Sequence, residues 1–262
     1  MPGRTFAIGD IHGDLQALEA LLGKLPSLTP RDTVVFIGDY VDRGPDGKGV
    51  IERVRRFVKD SPCPTITLRG NHEDLWLGCV QAPNLGFLLQ RGNGAMETFR
   101  SFTGGERLRD DQTLEAEEMG RFLDVKGWFP EDVRAWMDAL PLWHEDEHAL
   151  YVHAGLEEDE EGAGKDPGRE PRWKHPRDSR PKVLMWMREP EFFKRYKGKR
   201  VVFGHTPVSD LPRAPRGLLS RLFHPLGEVW SHGDLLGIDT ACGKGGHLSA
   251  LELPAVRVHE SR

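Results

Sequence analysis

Five short apolar runs along this 262-residue chain each stop at a segment whose side chains can bind a metal. The first ends in Gly9-Asp10-Ile11-His12-Gly13-Asp14, the second in Gly38-Asp39-Tyr40-Val41-Asp42-Arg43-Gly44 and the third in Arg69-Gly70-Asn71-His72-Glu73. The fourth supplies His153-Ala154-Gly155, and the fifth Gly204-His205-Thr206-Pro207. Taken singly, a Gly-Asp after a strand is usually a turn, and a histidine at a strand end is usually hydrogen-bonded packing. Taken together they change meaning. In α/β sheets, ligands bind in the crevice beyond the carboxyl ends of the strands, so this pattern delivers Asp, His, Asp, Asn, His and His to one edge. Such a cluster would crowd polar groups with little to compensate them. A pair of cations resolves that crowding.

The rest of the pattern supports a layered α/β fold, because strand-like runs alternate with helical ones. Strands are predicted at Thr5–Gly9, Thr33–Ile37, Thr65–Leu68, Ala149–Val152 and Arg200–Phe203. Asp14 suits the N-cap of a helix with Leu15, Leu18, Leu22 and Leu25 on one face, and Val50, Ile51, Val54, Phe57 and Val58 mark a second helix. Residues 74–140 read as mostly helical, an elaboration beside the site with no linker to set it apart, so residues 1–262 are expected to form one domain. Within it, Pro130 suits the first turn of a helix facing inward with Val133, Trp136, Met137 and Leu140. The acidic run 157–161 and the Pro-, Arg- and Lys-rich stretch 165–182 read as an exposed loop. The chain end reads as antiparallel, with Leu235–Asp239, a turn through Gly243-Lys244-Gly245-Gly246, His247–Leu253 and a last run Ala255–His259.

Composition narrows the function classes. A formal charge of −5 gives no overall cationic field, so stable nucleic-acid binding is not expected. Cys63, Cys79 and Cys242 are odd in number and far apart, unlike a disulfide framework or a CxxC zinc pattern. With no signal-like start and no apolar stretch long enough to span a bilayer, a cytoplasmic location and no membrane partner are expected.

The five segments resemble the hallmarks GDxHG, GDxVDRG, GNHE, HxG and GHT of the phosphoprotein phosphatase family of metallophosphoesterases, in that family's order. Ala154 stands where eukaryotic members usually have glycine. The resemblance runs from Phe6 to at least Leu253 and implies a four-layer α-β-β-α sandwich with a helical insertion. It implies Asp10 and His12 as ligands of one metal, Asn71, His153 and His205 as ligands of the other, and Asp39 as the bridging carboxylate. Such mixed N/O donors suit Mn, with Fe or Zn as alternatives, over Mg or Ca. Two ions about 3.5–4 Å apart can share a hydroxide and lower its pKa to roughly 7. Arg43 is the candidate bidentate clamp on the phosphoryl oxygens, and Arg188 resembles a second phosphate arginine of bacterial relatives. His72 is the expected general acid and Asp42 its orienting carboxylate. Glu73 reads as a charge at a helix N-terminus.

The leading substrate reading is a phosphorylated protein, as for a serine/threonine phosphatase. A nucleotide polyphosphate is the alternative, since symmetrical diadenosine tetraphosphate hydrolases share the motifs. A catalytically silent binding module is a third reading, disfavoured because every ligand candidate and His72 are present. Arg213, Arg216 and Arg221, after the GHT segment, could bind extra phosphates or simply form a solvated basic loop.

Overall fold

The computed structural model describes residues 3–105, 115–159, 170–212 and 228–262. Arg213, Arg216 and Arg221 lie outside them. The apolar runs become strands β1 (Thr5–Ile8), β2 (Thr33–Phe36) and β3 (Thr65–Thr67), joined through helices α1 (Leu15–Lys24) and α2 (Gly47–Asp60). β1 pairs parallel with β2, and β2 with β3. Phe6, Ala7, Ile8, Val34, Val35 and Phe36 are fully buried, as befits strands covered on both faces. Side-chain caps start both helices: Asp14 accepts from Ala17 N at 2.9 Å and Asp46 from Gly49 N at 2.8 Å.

After β3 the chain turns helical. Helices α3 (Asn71–Gln81), α4 (Leu85–Leu88), α5 (Ala95–Thr103), α6 (Ala116–Leu123), α7 (Val125–Trp128) and α8 (Glu131–Asp138) follow, with no intervening strand among the described residues. They pack aromatic side chains, among them Trp76, Phe87, Phe99, Phe122 and Phe129, into the core that α1 and α2 form against the first sheet. Pro130 caps α8 from outside, one residue before the position its sequence suggests.

A second sheet is built from β4 (Trp143–Glu145), β5 (Leu150–Val152), β6 (Val201–Phe203), β7 (Trp230–His232) and β8 (Leu235–Gly237), with order β4-β5-β6-β8-β7. Its outer face carries α9 (Pro181–Trp186) and α10 (Pro190–Arg195), packed through Leu184, Phe192 and Phe193. The chain then returns to the first sheet as β9 (Ser249–Leu253) and β10 (Arg257–Glu260), giving the order β10-β9-β1-β2-β3. Between the sheets lies a third core of alternating side chains: Ala7, Val35 and Leu251 from one, Tyr151, Val202 and Leu236 from the other. The layers are therefore helix, sheet, sheet, helix, the sandwich expected from the motifs.

Two expectations need correction. β8 and β9 do not form a hairpin. β8 runs parallel to β6 in one sheet while β9 runs antiparallel to β1 in the other, so the glycine turn between them crosses the sandwich. Alternation of apolar residues marks a strand but not which sheet it joins. The stretch 165–182 is not loop throughout either, because Trp173 bridges Glu158 and packs on Phe192, and α9 begins at Pro181. Residues 160–169 lie outside the described ones.

Candidate metal centre

The strand ends of both sheets meet at one edge and bring all six ligand candidates together. Asp39 occupies the middle. Its Oδ2 lies 3.4 Å from His12 Nε2, and its Oδ1 lies 3.4 Å from His153 Nε2. Asn71 Oδ1 is 2.9 Å from His153 Nε2 and 2.8 Å from His205 Nδ1. Asp10 Oδ2 accepts from His205 N at 2.9 Å and lies 3.9 Å from His12 Nε2. His12, Asp39 and His72 each offer a ligand atom within 4.8 Å of one another, and so do Asp39, His153 and His205. All of these side chains are buried.

The backbone is bent to make this possible. His12 (φ 49°), Asp39 (53°), Asp42 (71°), Arg43 (65°) and His205 (64°) all hold positive φ, a costly conformation for residues with a Cβ. Gly70 and Gly204 allow close approach, since a Cβ there would lie 2.1 Å from Asp39 Oδ1 and 2.0 Å from Asp10 Oδ1 respectively. Glu73 does more than charge a helix terminus. Its carboxylate accepts from Asp39 N, Tyr40 N and Gly70 N, each at 2.9 Å, and so fixes the Asp39 loop against α3. Burial, then the nearby Asp39 charge, pushes the Glu73 carboxyl up to about 7 against the pull of these N–H groups.

The donor set fits a cation on two counts. His12 Nδ1 donates to Val41 O and His153 Nδ1 to Ile37 O, both at 3.0 Å, which leaves each Nε2 as a lone pair facing the cluster. At His153 that lone pair meets the acceptor Asn71 Oδ1 at 2.9 Å, with no proton to share. Burial lowers the pKa of His12 and His153 and takes His205 down to about 2, keeping the imidazoles neutral, the form that ligates. The second count is charge. Asp10 is raised well above the carboxylate range by burial and then by Asp239 and Asp39, and its Oδ1 is buried without a hydrogen-bond partner. Burial would raise Asp39 as well, but the cationic side chains beside it, His72 and Arg43 among them, outweigh it and hold the carboxyl below its usual range. Positive charge is what this cluster lacks.

Beside the cluster, His72 Nδ1 donates to Asp42 Oδ2 at 2.5 Å while its Nε2 stands 3.9 Å from Asp39 Oδ2. Asp42 is held in turn by Trp76 Nε1 at 2.9 Å and Thr98 Oγ1 at 2.5 Å. Burial opposes protonation of His72, but Asp39 and the Asp42 hydrogen bond prevail and raise its pKa. Arg43 reaches the His12 side, donating to His12 Nε2, and Arg188 reaches the other, with Nε 3.0 Å from His205 Nε2.

Sequence reasoning missed Asp239, a further fully buried carboxylate. Its Oδ1 accepts from Ala241 N at 3.0 Å and its Oδ2 is buried without a partner. The signal was available, for Asp239 follows β8 as Asp10 follows β1. Trp76 and Thr98 gave no such signal, because their contacts with Asp42 arise only when α3 and α5 pack.

The chain belongs to the calcineurin-like phosphoesterase family, whose model matches residues 3–209. It is 32% identical over 154 residues to a symmetrical bis(5'-nucleosyl)-tetraphosphatase of Stutzerimonas stutzeri, covering 58% of this chain and 44% of that one. Matches to the same enzyme of Coxiella burnetii, 40% identical over 76 residues, cover 29% of this chain and 24% of that one. The chain thus spans less than half the length of the curated relatives it matches. Among solved structures, a protein serine/threonine phosphatase of Saccharomyces cerevisiae shares the fold at a TM-score of 0.53 and 17% identity, covering 99% of this chain and 79% of that one. Among the described residues, no helix is long and apolar enough to cross a membrane.

Proposed function

We propose that the chain hydrolyses phosphate esters or anhydrides with two divalent cations, acting as one metallophosphoesterase unit. The observation that carries this reading is Asp39, whose two oxygens face separate donor groups, one containing His12 and the other His153. Asp10, His12 and Asp39 would hold one ion, and Asp39, Asn71, His153 and His205 the other. Mn suits these donors, with Fe or Zn as alternatives. When bound, the pair supplies electrophilic activation of the phosphoryl group and a water acidic enough to attack at neutral pH.

The chain's own groups do the rest. Arg43 and Arg188 flank the centre and bind the phosphoryl oxygens. His72 holds a proton at Nε2 for the departing oxygen, because Asp42 engages Nδ1 and favours the charged ring. Trp76 and Thr98 fix Asp42, so the acid is aimed before substrate arrives. A silent binding module would have no use for this aimed acid.

For the substrate, the names of the relatives favour a dinucleotide polyphosphate, while the shared motif set keeps a phosphoserine or phosphothreonine protein as the second reading. The test is one side-by-side assay after chelation. Aryl phosphate, diadenosine tetraphosphate and phosphopeptides are each supplied with Mn, Ni or Mg. Metal-restored turnover of aryl phosphate is expected, with diadenosine tetraphosphate preferred over peptide. No turnover with any metal would overturn the reading.

A further inference from the structure

Lys244 lies in the glycine turn that carries the chain from one sheet to the other. Gly243 before it (φ 73°) rests on the centre itself: a Cβ there would lie 2.6 Å from His12 O and 3.3 Å from Arg43 Cβ. The turn is fixed by Lys244 N and Gly246 N, which donate to Ala241 O at 3.1 and 3.0 Å. Ala241 N is anchored in turn on Asp239 Oδ1 at 3.0 Å. Lys244 therefore rises from a rigid support beside Arg43. Its side chain is exposed, and its ammonium feels Arg43 and Arg188 as well as Asp239 and Asp210. Among the described residues no carboxylate comes within ion-pair distance of it.

We infer that Lys244 is a specificity residue that takes a second phosphate, next to the one held by Arg43 and Arg188, and so selects phosphoanhydride substrates. This rests on the phosphoesterase reading. A phosphomonoester presents one dianion, which the two arginines and the ions already match. A third cation at the same mouth gains a partner only if the substrate carries another phosphoryl group one anhydride bond away. A lysine suits that task, as a point charge on a flexible stem that follows a phosphate whose position varies. Because Lys244 is exposed, its removal leaves the core intact.

The test uses AMP and ADP, which differ by one phosphoryl group, as titrants of the Mn-loaded protein in excess Mn by calorimetry, with His72→Asn in every form so that the titrants are not consumed. The parent, wild type at position 244, is expected to bind ADP more tightly than AMP. In Lys244→Ala that preference falls about tenfold, the scale of one charge-assisted contact, and Lys244→Arg retains most of it. A parent with no preference for ADP, or an ADP-to-AMP ratio unchanged in Lys244→Ala, overturns the assignment. Binding is read without turnover, so an enzyme inactive on aryl phosphate would sink the phosphoesterase reading separately.

Discussion

His72 Nδ1 and Asp42 Oδ2 stand 2.5 Å apart, and the bond between them turns the other face of the imidazole toward the metal cluster. Replacing His72 with Asn should lower turnover about 10²–10⁴-fold, the usual contribution of a general acid. Metal content by elemental analysis should stay at the wild-type level. Loss of an ion from the variant would instead make His72 a ligand, as its place in the cluster with His12 and Asp39 also allows.

Asp39→Asn keeps the shape and removes the charge shared by the two donor groups. Mn affinity measured by titration calorimetry should fall by at least about 10- to 100-fold. Undiminished binding of two Mn ions would mean that Asp39 does not bridge.

Glu73 satisfies three buried N–H groups, so its amide analogue must turn an NH₂ toward at least one of them. Glu73→Gln should destabilise the metal-free protein by about 1–3 kcal/mol, lowering Tm by about 2–10 °C. Scanning calorimetry would show it, and an unchanged Tm would mean the loop does not depend on this clamp.

The pH response of stability should show at Asp32. The Arg4 side chain, aided by Arg4 N, Thr29 N and Thr29 Oγ1, holds this carboxyl below its ordinary range against the effect of burial. With the folded value depressed, the stabilisation is full above the unfolded value near 4 and is lost as pH falls below it. Asp32→Asn should thus lower Tm at pH 7, and the gap from wild type should narrow between about pH 4 and 2. A gap independent of pH would exclude the charge as its cause.

The ligand candidates were legible because each sits just past a strand, where a short motif and its local turn decide position together. Arg43 and His72 were legible for the same reason. Glu73 was read as a charge at a helix N-terminus, where it does stand, but its clamp on the Asp39 loop was not foreseen. Nothing in the sequence around Asn71 tells that residue 73 will meet the backbone of residues 39 and 40, which a separate strand delivers. Trp76 and Thr98 were hidden likewise, since helix periodicity assigns a tryptophan to the core without saying which polar group its N–H will meet. The antiparallel expectation for β8 and β9 failed because strand partners are chosen by the whole sandwich rather than by the turn between two strands.

His12 and Asp39 rise from the sheet led by β1, and His153 and His205 from the one led by β5. An ion held by Asp39, Asn71, His153 and His205 would grip both halves at once, like a rivet through two plates. Loading the ions and resisting heat should then be one property, with the melting point climbing as free Mn is raised and sliding back under chelator.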